Sequence, residues 1–262
     1  MMGDFITAGD GCRIAYRLDG PEAAPVLLLS NSLGTAMEMW APQMPALARS
    51  FRVLRYDSRG HGQSDAPAGA YSMDRLGRDV IEMLDALSVS KVLFCGLSKG
   101  GMVGQWLGIR APERLERLVL ANTSPFMGPP SSWDSRIAAV HQGGLAALVD
   151  AVLDRWFTPA FLATPKEQIA PVRAMLTATD PGGYAGCCAA IRDMDMRPIL
   201  GLIATPTLVI GGSEDPATPP PHSELLARAI PGARLEMLPA AHLSNVEQAE
   251  AFTAAVLDHF AA

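Results

Sequence analysis

Several things are scarce in this chain, and each scarcity excludes a class of protein. No apolar run approaches the roughly 18 residues that a membrane span requires, so no spanning segment is expected. The opening Met1-Met2-Gly3-Asp4-Phe5 lacks a basic stretch followed by an apolar one, so no secretory signal is read there. Basic residues are few: Lys plus Arg is 21 against 27 Asp plus Glu, a net charge of −6. That balance argues against nucleic acid as the partner. Charged residues of both signs reach only 18%, below the roughly 25% norm, which excludes long charged disordered tails. The four cysteines, Cys12, Cys95, Cys187 and Cys188, form no C-x-x-C pair and no Cys/His zinc spacing. They read as reduced thiols of a cytosolic protein.

What is present is ample apolar residue. The 262 residues are 49% hydrophobic, enough for one large α/β or barrel core. There is no internal repeat and no low-complexity segment. Short apolar runs alternate with amphipathic stretches. Cys12–Arg17, Val26–Leu29, Phe51–Tyr56, Val92–Cys95, Leu118–Leu120, Thr207–Ile210 and Arg234–Leu238 read as strands. Met73–Leu87, Gly101–Arg110 and Asn245–Phe260 carry helical spacing. Such alternation predicts a mostly parallel sheet with helices on both faces. From about 123 to 204 the alternation stops, and helices are expected at Asp134–His141, Leu145–Phe157, Lys166–Ala178 and Gly183–Met194. The expected organisation is a core of 1–122 and 205–262 with residues 123–204 inserted as a helical cap. Such an insertion sits over the crevice at the carboxyl ends of the strands.

The chemistry is concentrated in Gly96-Leu97-Ser98-Lys99-Gly100, a G-x-S-x-G pattern that follows a buried strand and opens a helix. Small residues two before and two after the serine permit a tight turn that presents its hydroxyl at the helix N-terminus. A serine needs a base, and the base needs an orienting acid, expected in the order Ser, acid, His. Three histidines follow Ser98 outside the cap region: His222, His242 and His259. His259 falls within the last helix and is expected at the surface, and His222 begins a helix after three prolines. His242 lies in a strand-to-helix loop, which suits a triad base. The preceding strand ends in Gly211-Gly212-Ser213-Glu214-Asp215, which offers Asp215 as the acid and Glu214 as the alternative. Oxyanion donors are expected from the backbone N–H groups of Leu33 and Lys99. Gly34 would let the first of these loops approach a ligand closely.

With these residues in view, the chain resembles the α/β-hydrolase superfamily over nearly its whole length. The elbow at Ser98, the run Tyr56-Asp57-Ser58-Arg59-Gly60-His61-Gly62-Gln63-Ser64, and the late Asp215 and His242 carry that resemblance. Narrower features look like the 3-oxoadipate enol-lactonases of the β-ketoadipate pathway. These are Leu29-Ser30-Asn31-Ser32-Leu33-Gly34-Thr35, Phe94 to Ser98 with Gly104-Gln105-Trp106-Leu107-Gly108, and the cap segment Gly186 to Asp195. Lys99 departs from that pattern, in which an apolar residue follows the nucleophile.

The resemblance implies hydrolysis of an enol-lactone through an acyl-enzyme on Ser98, with no metal or organic cofactor. The substrate would be a small molecule bearing a carboxylate. Candidates to bind that group are Lys99, Arg136 and Arg192, each weighed against an ion pair or, for Lys99, a side chain reaching the surface. Trp133 is expected to line the pocket, Trp40 and Trp106 to pack in the core, and His61 to brace a loop. The alternatives are a broad carboxylesterase or perhydrolase, a carbon–carbon bond hydrolase, and a small-molecule receptor on the same fold. Oligomeric state is left open.

Overall fold

A computed structural model describes residues 4–164 and 166–261. Its strands are β1 (Asp4–Thr7), β2 (Arg13–Asp19), β3 (Val26–Ser30), β4 (Arg52–Tyr56), β5 (Val92–Leu97), β6 (Leu115–Ala121), β7 (Thr207–Gly212) and β8 (Arg234–Leu238). They form one sheet in the order β1-β2-β4-β3-β5-β6-β7-β8. The β1–β2 and β2–β4 pairs are antiparallel, and all other pairs are parallel. Every residue of β5 and of β7 is buried, which is why these strands read as unbroken apolar runs rather than alternating ones. At the edge, β8 exposes Leu235 and Met237.

Helices cross between the parallel strands: α1 (Met44–Ser50), α2 (Met73–Ala86) and α3 (Lys99–Arg110). The chain runs from β3 outward to β4 and returns past β3 to β5. That reversal creates a crevice outside the carboxyl ends of β3 and β5. It places the loop after β3 beside the turn after β5, which are the two segments expected to hold the reacting groups.

Between β6 and β7 the described residues carry α4 (Pro130–Gly143), α5 (Val149–Trp156), α6 (Pro159–Leu162), α7 (Ala170–Ala178) and α8 (Pro181–Asp193), and no strand apart from a lone Phe126–Asp195 bridge. These helices lie in the chain between two strands that are neighbours in the sheet, where the sequence predicts a helical cap. The bridge, with Met196 N–H donating to the Pro125 carbonyl at 2.9 Å, draws its entry and exit together. The last elements are α9 (Pro220–Ala229), α10 (Ser244–Glu247) and α11 (Ala249–Ala261).

Three elements escape the sequence pattern: β1, α1 and α6. In β1 only Ile6 is buried, and in α1 only Leu47, so neither leaves a periodic stripe. Elsewhere, stretches read as single helices are divided. Gln248 leaves helical geometry (φ −123°, ψ 51°) and separates α10 from α11. A 3-10 turn at Ala146–Leu148 precedes α5, and another at Lys166–Gln168 precedes α7, which starts around Pro171. Proline suits a first helical turn because its missing N–H has no intrahelical partner there.

The α2–α3 contact shows how tightly the core is packed. A Cβ on Gly77 of α2 would lie 2.1 Å from the Trp106 ring of α3. Trp106 and Trp40 are both buried. Gly77→Ala would gain up to about 1 kcal/mol of helix propensity. Overpacking against a ring that cannot retreat costs about 1–3 kcal/mol. Chemical denaturation should therefore show net destabilisation, and a more stable variant would contradict this packing.

Candidate active site

Ser98 occupies a backbone conformation that L-residues avoid, φ 58° and ψ −116°. The glycines around it have a steric reason. A Cβ on Gly96 would fall 2.2 Å from the Gly100 carbonyl oxygen, and one on Gly100 2.0 Å from that of Ser30. The turn is held by Ser98 N–H donating to the Ala121 carbonyl at 2.9 Å and by Thr123 Oγ1 donating to the Ser98 carbonyl at 2.7 Å.

His242 and Asp215 come to this serine from the far end of the chain. His242 Nε2 lies 2.9 Å from Ser98 Oγ, and His242 Nδ1 lies 2.8 Å from Asp215 Oδ2. Asp215 is buried and saturated with donors: the N–H groups of Ala217 and Thr218, the Thr218 hydroxyl and the Asn122 amide. Burial alone would raise its pKa, but the His242 charge and hydrogen bond, with Asn122 and Thr218, outweigh it and lower it to about 2. Nothing in the residue pattern marked Asn122. It lies just past the end of β6 at φ 41°, bonds both Asp215 and the Ala241 carbonyl, and accepts from the Ser244 hydroxyl at 2.5 Å. It thereby fixes the loop of Asp215 and the loop of His242 to each other. Glu214, the alternative acid, makes no hydrogen bond or ion pair with His242 among the described residues.

The loop after β3 faces Ser98. The Leu33 N–H donates to no protein acceptor among the described residues, and the Lys99 N–H is the first of α3, where a helix provides no carbonyl. Asn31 anchors this loop, accepting from Trp40 Nε1 at 2.8 Å and donating to the Tyr56 carbonyl at 2.7 Å. Next to Leu33, Gly34 donates its N–H to His61 Nε2 at 2.9 Å. That contact requires a neutral ring protonated on Nδ1, which faces the Arg59 carbonyl at 3.2 Å. Burial and then the Lys99 charge hold the His61 pKa well below its usual value. His61 thus braces the loop. Gly34 does serve a close approach, but to the cap: its Cβ would meet Leu176 of α7 at 2.6 Å.

A cavity of about 430 Å³ opens over Ser98, between the core and the cap. Trp133 and Arg136 of α4 line it, and so does Arg155 of α5, which the sequence reading missed. Neither arginine has an ion-pair partner among the described residues. Two acids on the same helices pair with other arginines, Asp134 of α4 with Arg192 and Asp150 of α5 with Arg173, each at 2.8 Å. Arg136 stacks over Trp133 at 5.2 Å and lies 3.5 Å from the Tyr184 hydroxyl. Burial, then the neighbouring Arg136 charge, lower the Arg155 pKa. His222 also lines the cavity with an unpartnered Nδ1.

Three expectations need correcting. Arg192 does not line the cavity; Asp134 and Asp193 flank its guanidinium and hold it outside. Lys99 neither lines the cavity nor reaches the surface. Its side chain turns beneath the elbow, is 1% exposed, and donates to Ser58 Oγ at 2.6 Å. Burial lowers its pKa, with Cys187, Asp79 and Asp57 opposing the shift. His259 is buried rather than at the surface, and its Nε2 faces the Pro206 carbonyl at 3.2 Å. Helical position alone does not reveal which face meets the sheet.

The sequence model of the alpha/beta hydrolase fold matches residues 25–249. The chain belongs to the alpha/beta hydrolase family. It is 41% identical over 253 residues to 3-oxoadipate enol-lactonase 2 of Acinetobacter baylyi, covering 97% of this chain and 94% of that one. Among solved structures it is similar to a hydrolase from Pseudomonas aeruginosa (TM-score 0.97, 53% identity, 99% and 98% of the two chains covered). It is equally close in shape to the enol-lactonase from Burkholderia xenovorans (TM-score 0.97, 44% identity, 99% and 100% covered). In this α/β-hydrolase the hydrogen-bonded chain from Ser98 to Asp215 can perform acyl transfer: a hydroxyl within reach of an imidazole, itself oriented by a buried carboxylate.

The Asp215 carboxyl has a pKa of about 2 in the fold against 3.8 for the free group. A depressed acid stabilises the fold above its unfolded pKa and loses that contribution as pH falls through the folded one. Wild type should exceed Asp215→Asn by about 2 kcal/mol more at pH 5 than at pH 2. Denaturation at a series of pH values checks this, and a gap independent of pH would contradict it.

Proposed function

We propose that this protein is a serine hydrolase that opens 3-oxoadipate enol-lactone to 3-oxoadipate. The observation that carries the substrate assignment is the pair of unpaired arginines, Arg136 and Arg155, in the cavity over Ser98. Both arginines are half-buried at the cavity wall, and a substrate carboxylate would supply the counter-charge with strong, directional hydrogen bonds. The names of the relatives support the same substrate. In this reading residues 123–204 act as a cap domain on a core of 1–122 and 205–262. The four free, buried thiols support a reducing, cytoplasmic setting.

In the reaction, His242 Nε2 takes the Ser98 proton as Oγ attacks the lactone carbonyl. Negative charge develops on the carbonyl oxygen, which the Leu33 and Lys99 N–H groups receive. Asp215 holds the His242 ring with Nδ1 protonated and stabilises the imidazolium. Collapse breaks the ring carbon–oxygen bond, and the enol oxygen leaves with the proton from His242. The enol tautomerises to the ketone. Water, deprotonated by His242, then attacks the acyl ester and releases the second carboxylate and Ser98.

The test is hydrolysis of purified enol-lactone, followed by its ultraviolet absorbance, beside an aryl acetate. kcat/KM for the lactone should exceed the control by about a hundredfold, roughly 2.7 kcal/mol of differential transition-state binding. Comparable slow rates on both substrates would favour a broad esterase instead. Ser98→Ala should lower turnover by about 10⁴-fold or more.

Arg136→Ala and Arg155→Ala should each raise KM for the lactone about 10–100-fold, while leaving the uncharged aryl acetate nearly unaffected. Equal losses on both substrates would show that the arginines do not read the carboxylate.

A further inference from the structure

His242 sits on a loop of the core that Asn122 holds through the Ala241 carbonyl, yet further hydrogen bonds on both sides of the histidine come from, or are tied to, the cap. On one side, the Ala241 N–H donates to Glu247 Oε2 at 3.0 Å. The same carboxylate accepts from Thr158, whose N–H reaches Oε2 at 3.3 Å and whose hydroxyl bonds Oε1. On the other side, the Leu243 N–H donates to the Trp156 carbonyl at 3.0 Å. Trp156 is the last residue of α5, and Thr158 caps α6 by accepting the Phe161 N–H at 3.2 Å. The same short helix α5 presents Val152, Arg155 and Trp156 to the cavity.

We propose that Glu247 and Thr158 are positioning residues that clamp the His242 loop to the carboxyl end of α5, so that the cap sets the placement of the general base. This rests on the hydrolase reading above. The Glu247 carboxylate bonds neither Ser98 nor His242; it acts through the backbone N–H of Ala241, the residue before the base, while the Trp156 carbonyl holds Leu243 after it. A carboxylate suits the task because its two oxygens can accept from several donors at once. Placement of the Nε2 atom is what matters, since a displacement near 1 Å at the reacting groups costs about a hundredfold in rate. Helix α5 thereby joins two functions: it lines the substrate cavity and it anchors the base.

The experiment compares Glu247→Ala, Thr158→Val and Thr158→Ser on the lactone and on an aryl acetate, together with the rate of Ser98 labelling by a fluorophosphonate. Glu247→Ala should lower kcat about 10–100-fold with KM within about threefold, on both substrates alike, and should slow labelling by a similar factor. Thr158→Val should give a smaller loss in the same direction, and Thr158→Ser, which keeps the hydroxyl, should restore it. The downfield proton resonance of the His242 Nδ1–H should broaden in Glu247→Ala. Arg173→Ala, which breaks the exposed Asp150–Arg173 pair between α5 and α7, should leave kcat unchanged. If Glu247→Ala does not fold, the two Thr158 variants carry the test.

Normal kcat and labelling in Glu247→Ala, with only a lowered Tm, would overturn the proposal. So would an equal loss in Arg173→Ala, which would mean general loosening of the cap, or a failure of serine to restore what valine removes. Wild-type protein that resists labelling would instead overturn the hydrolase reading and this inference with it.

Discussion

Ser98 is held at φ 58°, ψ −116°, a conformation that costs a non-glycine residue about 1–3 kcal/mol. The fold maintains it because the alternative geometries are blocked. The last residue of β3, Ser30, presses against Gly100, and the first turn of α3 presses against Gly96, with no room for a Cβ at either. Two hydrogen bonds to the end of β6 and the residues just after it fix the peptide groups of the serine. From this one strained residue the rest of the site takes its position. The hydroxyl projects into the crevice where the strand order reverses, and the helix N-terminus points its free N–H groups the same way.

The other groups arrive by separate routes and are locked together by buried polar contacts. Asn122 sits one residue past the end of β6, close to the elbow, and grips both the loop of Asp215 and that of His242. The Tyr56 to Ser64 run serves as scaffolding. Asp57 accepts the N–H groups of Met37 and Gln63, Ser58 receives the Lys99 ammonium, and His61 supports Gly34. Gly60, at φ 75°, lets the backbone of Gly183 in α8 approach directly. The motif thus braces the loop after β3 and meets α8.

Charge in this molecule is local. The chain carries a net −6, yet the cavity over Ser98 is lined by Arg136, Arg155 and His222 and, among the described residues, by no acidic one. Asp134 and Asp150, on the same two helices, pair with Arg192 and Arg173 instead. Two arginines in the same cap therefore have opposite fates: Arg192 is closed into an ion-pair cluster, while Arg155 is left facing the cavity.

Much of this was readable from residue order. Apolar runs marked the buried strands, and the elbow pattern together with the loop positions of Asp215 and His242 marked the three residues that the structure brings within hydrogen-bonding distance. Those features are local: strand periodicity, glycine placement and chain order express themselves within a few residues. What residue order did not reveal depends on direction. Whether Lys99 enters the cavity or turns under the elbow, whether His259 faces the sheet or water, and which cap arginine is left unpaired are decided by neighbours distant in sequence. Asn122 and Glu247 escaped notice for the same reason, since each acts by bridging segments that meet only when the sheet closes and the cap docks. Patterns along a chain specify which groups are available; the packing of elements against one another selects which of them meet, because side-chain direction and burial are properties of the assembled surfaces.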